Sequence, residues 1–128
     1  MVIAGIMKME PEYLSAHMSS RAAARRMRDN NVEFLPICDR RGRVIGTITD
    51  RDLAVRVVAE GLDYDLPITD VMTREVMACR TDDDVLHAGR VMLASRKSRL
   101  VVLDADGRLA GVVTLSEVRS SLPVEVAP

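Results

Sequence analysis

The chain has 128 residues, of which 48% are apolar and only 2% aromatic, and 18 basic residues against 19 acidic ones leave a formal charge of −1. This length corresponds to one domain, whose core has to be built from aliphatic side chains and the eight methionines. Nucleic-acid binders usually carry a basic excess and aromatic stacking residues, so the composition argues against that class.

The amino terminus and the two cysteines bear on the compartment. Residues 1–8 lack the basic start and long apolar stretch of a signal peptide, and no run approaches the roughly 18 apolar residues of a membrane span. We therefore expect a cytoplasmic protein without a membrane partner. Cys38 and Cys79 belong to no Cys-x-x-Cys pair, which favours reduced, buried thiols over a disulfide or metal site.

In chain order, the first predicted elements are a helix, the two strands of a hairpin and a second helix. Ser19 and Ser20 are candidate N-caps of the first helix, and Asp50 is the expected cap of the second, which stops at Gly61. Apolar residues at helical spacing, and β-branched runs around a glycine turn, set the bounds. The predicted ranges are 21–29, 34–38, 43–49 and 51–60.

The second half of the chain is expected to repeat this order. The acidic residues 82–84 precede a helix, and strands follow over residues 100–103 and 109–114 around a glycine turn. Ser116 is expected to open a last helix that runs to about Leu122, with Pro123 after it. Each half is thus predicted to be a βαββα unit preceded by a turn or short strand.

The two halves are copies at an offset of 65 residues. Landmarks from both ends of each unit keep this spacing; the pairs are Met7 with Met72, Met27 with Met92, Asp39 with Asp104, Gly46 with Gly111 and Thr49 with Thr114. Each copy is small for a core of its own, so we expect the two to fold against each other as one compact module. The predicted boundaries are 1–61 for repeat 1, 62–67 for a polar linker and 68–128 for repeat 2.

These copies carry a family resemblance. The runs Leu-Pro-Ile-Cys-Asp at 35–39 and Gly-Arg-Val-Ile-Gly-Thr-Ile-Thr-Asp-Arg-Asp-Leu at 42–53, and a methionine about 20 residues ahead of each helical methionine, resemble the cystathionine β-synthase (CBS) domain. The resemblance covers nearly the whole chain and extends to small stand-alone bacterial CBS pairs, hypoxia-response types among them. It implies an α+β fold of two βαββα repeats related by pseudo-twofold symmetry.

The resemblance also implies a homodimer, in which two CBS pairs form a flat disc through their helices. Apolar helical positions that we expect to be exposed are candidates for this surface: Val57, Val58, Val91 and Leu93.

The pattern Gly46-x-x-Thr49-x-x-Asp52 is the candidate binding site. It places a strand before a helix N-terminus, where Gly46 permits a close approach. Thr49 offers a hydroxyl, and the Asp52 carboxylate can accept two hydrogen bonds from a vicinal diol. The free N–H groups of the first turn, beside Asp50 and Arg51, favour an anion. A diol next to a phosphate describes a ribose phosphate.

In CBS domains the matching Thr and Asp hold the ribose and phosphate of an adenine nucleotide between the two units. The resemblance also implies that apolar strand residues, here Pro36 and Ile37, enclose the base. An alternative stays open, because Thr49, Asp50 and Asp52 are also ordinary helix-capping residues.

The second copy departs from this pattern. Gly111 and Thr114 are retained, but Glu117 stands where the first copy has Asp52. The extra methylene moves the carboxylate, so the same diol contact would need a shifted ligand. We therefore expect one good site, at Thr49 and Asp52, and a second that is weakened or empty.

Arg51, inside the first motif, is one candidate cation for a phosphate, and the second repeat offers others. The resemblance implies that Arg99 touches nucleotide phosphate, with Lys97 beside it, whereas the first copy has Phe34 at the position of Arg99. The alternative is a solvated basic turn that complements the C-terminal dipole of the preceding helix, which we favour for Arg96.

Catalytic and metal sites are not predicted. His17 and His87 do not correspond between the copies and have no acidic or sulfur partner at ligand spacing. The sequence also contains no arrangement typical of a nucleophile with its base, and no phosphate-loop lysine motif. We therefore expect a protein that is not an enzyme and that requires no cofactor.

The leading hypothesis is a regulatory module that binds AMP, ADP or ATP, with NAD and S-adenosylmethionine ranked lower. The ligand would favour one arrangement of the module and so report metabolic state to a protein partner. The alternative is a ligand-free CBS pair with degenerate sites that serves only in dimerisation or partner binding. A third hypothesis is nucleic-acid binding through Arg96, Lys97 and Arg99.

Overall fold

The computed structural model describes residues 1–122, and their order of elements is the predicted βαββα arrangement, twice. The strands are β1 (Lys8–Met9), β2 (Leu14–Ser15), β3 (Phe34–Cys38), β4 (Val44–Thr49), β5 (Ala78–Arg80), β6 (Arg99–Leu103) and β7 (Leu109–Thr114). The helices are α1 (Ser20–Asn30), α2 (Asp50–Asp52), α3 (Val85–Ser95) and α4 (Leu115–Ser121). Short 3₁₀ helices cover Ile3–Gly5 and Ile68–Asp70.

Local capping sets both ends of α1 and α3. The Ser19 hydroxyl accepts from the backbone N–H of Ala22 at 3.1 Å, which confirms one of the two predicted caps. Asp84 caps α3 in the same way. Both helices end at a residue in the left-handed conformation, Asn31 with φ 51° and Arg96 with φ 57°. The bounds of α1 therefore lie one residue outside the predicted range 21–29 at each end.

The two hairpins have the same turn. The Asp39 carboxylate accepts from the N–H groups of Arg41 and Arg43, at 2.8 and 3.0 Å. Asp104 does the same with the N–H groups two and four residues after it. Each turn then reaches a glycine at positive φ, 80° and 78°. The repeated aspartate and glycine landmarks are thus turn residues.

The helices that follow the hairpins differ from the prediction at their starts. Thr49 and Thr114, the last residues of β4 and β7, are the N-caps, so the expected caps Asp50 and Ser116 were wrong; both lie inside the helices. The helix after β4 also widens: α2 continues directly into a π-helix over Leu53–Val58, whereas α4 stays α-helical.

Each half builds a small mixed sheet. β3 pairs antiparallel with β4 and parallel with β2, and β6 likewise pairs with β7 and β5. On β7 the second sheet gains a further antiparallel strand, β1, from the start of the chain. In the first half the corresponding edge of β4 carries an isolated bridge between Thr47 and Thr73.

The packing units do not follow the sequence repeats. Within the described residues, one compact unit combines Met1–Pro11 with residues 77–122, and the other is Glu12–Val76. Ile3 is fully buried in the first of these, and Ile68, Val71 and Met72 lie in the core of the second. The opening segment of each repeat thus completes the core of the other repeat's unit. The boundaries 1–61, 62–67 and 68–128 stay a prediction about the sequence repeats; the end of the last range, with Pro123, lies outside the described residues.

Of the four apolar helical residues that we expected to be exposed, two are exposed. Val58 is 78% exposed and Leu93 is 43% exposed, whereas Val91 is half-buried. The expectation for Val57 was wrong, because its side chain belongs to the core of the Glu12–Val76 unit and is 5% exposed.

Candidate functional site

The structure brings Thr49 and Asp52 together at the turn between β4 and α2. The Thr49 hydroxyl accepts from the N–H of Asp52 at 3.1 Å, and the Asp52 carboxylate accepts from the N–H of Thr49 at 3.0 Å. This reciprocal pair is a capping box. The capping alternative is therefore realised in the structure, and both side chains stay partly accessible.

The other carboxylate oxygen of Asp52 has a basic partner that sequence reasoning missed. Oδ1 lies 3.5 Å from a guanidinium nitrogen of Arg56, and the other terminal nitrogen of Arg56 donates to the carbonyl of Val71 at 2.7 Å. The signal in the sequence was the spacing of four residues between an acidic and a basic side chain on one helix. A hydroxyl, a carboxylate and a cation thus occupy two helical turns.

The second copy forms the same turn with a longer acid. The Glu117 carboxylate accepts from the N–H of Thr114 at 2.8 Å, and the N–H of Glu117 donates to the Thr114 hydroxyl at 3.1 Å. The hydroxyl in turn lies 3.0 Å from the same carboxylate oxygen, Oε1, and donates to it. Glu117 therefore reaches the same cap as Asp52, and its extra methylene is absorbed within the box.

Gly46 and Gly111 make room for the protein's own chain. A Cβ on Gly46 would collide with the Met72 side chain and lie 2.9 Å from the carbonyl oxygen of Thr73. A Cβ on Gly111 would lie 2.7 Å from the carbonyl of Lys8 and 2.8 Å from the sulfur of Met7. All three distances are under 3.0 Å, shorter than real Cβ contacts. We expected Gly46 to permit a close approach, and packing of the protein's own chain against it accounts for this without a ligand.

The two residues expected to enclose a base lie on opposite faces of the sheet. Ile37 is fully buried in the core of its unit with Leu35, so its backbone alone is available to a ligand. Pro36 pairs with Thr47 on the other face, which also carries the pair of Phe34 with Thr49.

The charged residues predicted near a ligand phosphate divide into three environments. Asp50 and Arg51 are exposed in the first turn of α2, where the Asp50 carboxylate accepts the N–H of Arg51 at 2.8 Å. Arg96 is the C-cap residue of α3, as the alternative interpretation required, and Lys97 beside it is exposed. Arg99 is half-buried in β6 and pairs in register with Thr114 of its own unit.

The cysteines are buried and free of disulfides, as predicted. Burial, with the nearby Asp39 charge as a smaller cause, raises the pKa of the Cys38 thiol to about 11. Burial and the Asp83 charge raise the pKa of the Cys79 thiol to about 11. Both thiols are therefore protonated, and so poor nucleophiles, at neutral pH.

The side chains and helices of residues 1–122 bear on metal binding and on membranes. No group of three or more His, Cys, Asp and Glu side chains in this range is arranged to hold a metal ion. Within the same range, every helix is too short or too polar to cross a bilayer.

Comparisons with known proteins agree with this architecture. The family model described as the CBS domain matches residues 3–59 and 68–124. The uncharacterized protein YlbB of Bacillus subtilis is 32% identical over 123 residues, covering 93% of this chain and 80% of YlbB. The chain spans a smaller share of other curated relatives, 54% of a protein from Methanopyrus kandleri and 60% of one from Acidianus ambivalens.

Solved structures extend the likeness to three dimensions. Hypoxic Response Protein I, crystallised with two coordinated zinc ions, superimposes with a TM-score of 0.86 at 27% identity, covering 96% of this chain and 100% of that one. The CBS domain pair of protein MJ0100, in complex with 5′-methylthioadenosine and S-adenosyl-L-methionine, gives 0.83 at 27% identity, covering 94% and 98%. The chain therefore belongs to the CBS domain family and carries two CBS domains in tandem.

Proposed function

We propose that this CBS pair is a regulatory module that binds an adenosine-containing ligand at the turn formed by Thr49 and Asp52. The adenine nucleotides AMP, ADP and ATP are the predicted ligands. Binding would favour one of the conformations available to the module, and a protein partner would respond to that conformation. The module is proposed to regulate rather than to catalyse.

The arrangement around Asp52 is the observation that carries this proposal. Its carboxylate is partly accessible and held from two sides, by the N–H of Thr49 and the guanidinium of Arg56. An ionised carboxylate has about four acceptor positions on its two oxygens. Two hydrogen bonds from a vicinal diol can therefore be added without breaking the capping box.

The comparison with the MJ0100 pair supports the chemical class. The two compounds in that complex differ in what is attached at the 5′ position, but both contain adenosine. Adenosine is also common to AMP, ADP, ATP and NAD. The proposal therefore rests on the nucleoside, and S-adenosylmethionine and 5′-methylthioadenosine join the nucleotides as compounds to test.

A thermal-shift panel tests the proposal. AMP, ADP, ATP, NAD, S-adenosylmethionine and 5′-methylthioadenosine are each added at millimolar concentration, with guanosine monophosphate as the control for the base. We expect at least one adenosine compound to raise Tm, because a ligand that binds the folded state stabilises it. No shift with any of them would contradict the proposal.

Matched variants assign the site. Asp52→Asn keeps an oxygen for the capping box but removes the charge that two hydroxyl donors prefer, so we expect it to abolish the shift. Glu117→Gln makes the corresponding change in the second copy and is expected to reduce the shift less. Equal losses would contradict the ranking of the two sites.

The alternative function keeps a specific observation in its favour. Both pairs of a threonine with an acid, Thr49 with Asp52 and Thr114 with Glu117, are fully explained as capping boxes. A ligand-free module for dimerisation or partner binding would therefore look the same at these turns. It predicts no shift with any compound of the panel, while the variants change only the stability of the protein.

Homodimerisation is proposed through the helical surface of the Glu12–Val76 unit. An apolar groove of about 360 Å³ lies there between α1 and the π-helix. Val58 on its wall is 78% exposed, and Arg21 on its rim stacks on the Tyr64 ring at 4.3 Å and pairs with Asp65 at 3.3 Å. The rim thus offers both charges to a second copy, as a self-complementary interface requires.

The oligomeric state is measured by light scattering coupled to size-exclusion chromatography. Val58→Asp places a charge in the groove and is expected to convert a dimer into a monomer. Val55→Asp is the matched control, because Val55 is a 46% exposed valine of the same helix that does not line the groove. A monomeric wild type, or equal effects of the two variants, would contradict this interface. The cytoplasmic location and the protein partner stay predictions.

A further inference from the structure

Arg56 links the candidate ligand carboxylate to a distant part of the chain. It lies on the π-helix four residues after Asp52 and sits 3.5 Å from Oδ1 of that carboxylate. Its other terminal nitrogen donates to the carbonyl of Val71 at 2.7 Å. The guanidinium is thus anchored on a backbone group that is itself held in the core, since Val71 is 6% exposed.

These contacts restrict the orientation of the carboxylate. The last side-chain torsion of an aspartate is broad, so an isolated carboxylate samples many orientations. Here Oδ2 is held by the N–H of Thr49 at 3.0 Å and Oδ1 faces Arg56. With one partner on each oxygen, the plane of the carboxylate is set, and the remaining acceptor positions point in a defined direction.

The second copy has no equivalent of this arginine. At the offset of 65 residues the position of Arg56 is taken by Ser121, whose hydroxyl donates to the carbonyl of Val118 at 2.7 Å. The two copies therefore differ at two linked positions, the acid itself and the residue four positions after it. The replacement of Asp52 by Glu117 is accompanied by the loss of its cation.

We propose that Arg56 is the positioning residue of the adenosine site, which holds the Asp52 carboxylate in the orientation that both hydroxyls of a ribose require. Arg56 itself does not touch the ribose; it acts through Asp52, and Val71 holds it in place. This inference rests on the proposed function, and it makes selectivity for ribose over 2′-deoxyribose a property of the pair Asp52 and Arg56.

The experiment compares two ligands on four proteins by isothermal titration calorimetry. The ligands are AMP and 2′-deoxy-AMP, or 5′-methylthioadenosine and its 2′-deoxy analogue if the panel shows that only that compound binds. The wild type is expected to prefer the ribose form by about tenfold, the value of one hydrogen bond to a charged group. Arg56→Met should lower the affinity for the ribose form by about tenfold and change the affinity for the deoxy form by no more than about twofold.

A matched arginine controls for structural damage. Arg74 donates to the carbonyl of Thr69 at 3.0 Å, so it is also an arginine bonded to the backbone of residues 68–74. Within residues 1–122 it forms no hydrogen bond or ion pair with Asp52. Arg74→Met should leave both affinities unchanged. Arg56→Lys keeps the charge but not the planar fork, and should recover part of the preference for ribose.

The outcomes separate the two proposals. If the role of Arg56 is merely structural, Arg56→Met should lower the affinity for both ligands by the same factor. That result would overturn the inference while leaving the proposed function intact. If no adenosine compound binds the wild type, the proposed function fails and the inference with it.

Discussion

At the scale of single residues, the repeated glycines and methionines are packing partners. Met72 packs against Gly46, and Met7 packs against Gly111. Each pair joins a landmark from the start of one repeat to a landmark from the middle of the other. The two sets of residues keep the same spacing because they form the same contact twice. They are therefore part of the fold, whatever binds at the neighbouring turn.

A methyl group at either glycine should destabilise the protein. In Gly46→Ala and Gly111→Ala the new Cβ would meet backbone oxygens at 2.9 and 2.7 Å, and backbone cannot move aside cheaply. We expect a loss of about 1–3 kcal/mol in the free energy of unfolding, the usual cost of overpacking. Urea denaturation measures it.

Gly5→Ala is the control for these substitutions. A Cβ there has nothing within 4 Å, so its effect should stay within about 0.5 kcal/mol. Equal stability of all three variants would show that the chain does not approach Gly46 and Gly111 as closely as described.

At the scale of elements, the two copies have the same caps but different helix interiors. Thr49 and Thr114 open their helices with the same capping box, and yet, as far as residue 122, only the first helix widens into a π-helix. Arg56 lies in that widened segment. The difference between the copies thus extends from the carboxylate into the helix that follows it.

The end of α3 offers a prediction about stability. Arg96 adopts φ 57°, a conformation that costs a residue with a side chain roughly 1–2 kcal/mol and glycine almost nothing. Part of this gain is lost to the greater freedom of glycine in the unfolded chain. Arg96→Gly should therefore raise the free energy of unfolding by about 0.5 kcal/mol.

The equivalent end of α1 is the comparison. Asn31 adopts φ 51°, but asparagine tolerates the left-handed conformation, so Asn31→Gly should change stability little. A destabilised Arg96→Gly variant would mean that the arginine side chain, rather than the backbone, holds this helix end.

At the scale of the whole molecule, each repeat contributes its opening segment to the packing unit of the other repeat. Residues 1–11 pack with residues 77–122, and the opening of repeat 2, with Ile68, packs with the residues of repeat 1. Neither repeat therefore contains its complete core. This arrangement agrees with the expectation that a single copy is too small to fold alone.

Amide hydrogen exchange can test which sheet the opening segment of each repeat packs against. Ile3 and Ile68 are both fully buried, and truncation of each to alanine should cost about 2–5 kcal/mol. Ile3→Ala should increase amide exchange most in β5, β6 and β7, whereas Ile68→Ala should do so in β2, β3 and β4. If Ile3→Ala instead loosened β3 and β4 first, the assignment of Met1–Pro11 would be wrong.

The sequence by itself determined the family, the duplication and most elements. Helix ends at Ser19 and Asn31 and the hairpin turns at Asp39 and Asp104 were predictable because short-range hydrogen bonds set them. The caps at Asp50 and Ser116 were misplaced by one or two residues, since the last threonine of each strand also begins the helix. The two- and three-residue strands β1, β2 and β5 are too short to have a readable period.

Tertiary structure alone decided which residues each landmark serves. The role of Gly46 depends on Met72, and the orientation of Asp52 depends on an arginine that is anchored on Val71. Both partners come from the other side of the linker. Hydrophobic periodicity and helix capping depend on residues close in sequence, so they predict helices and strands. Contacts between distant segments depend on how the folded chain brings those segments together. The sequence therefore identified the acid of the candidate site, and the fold identified what holds it.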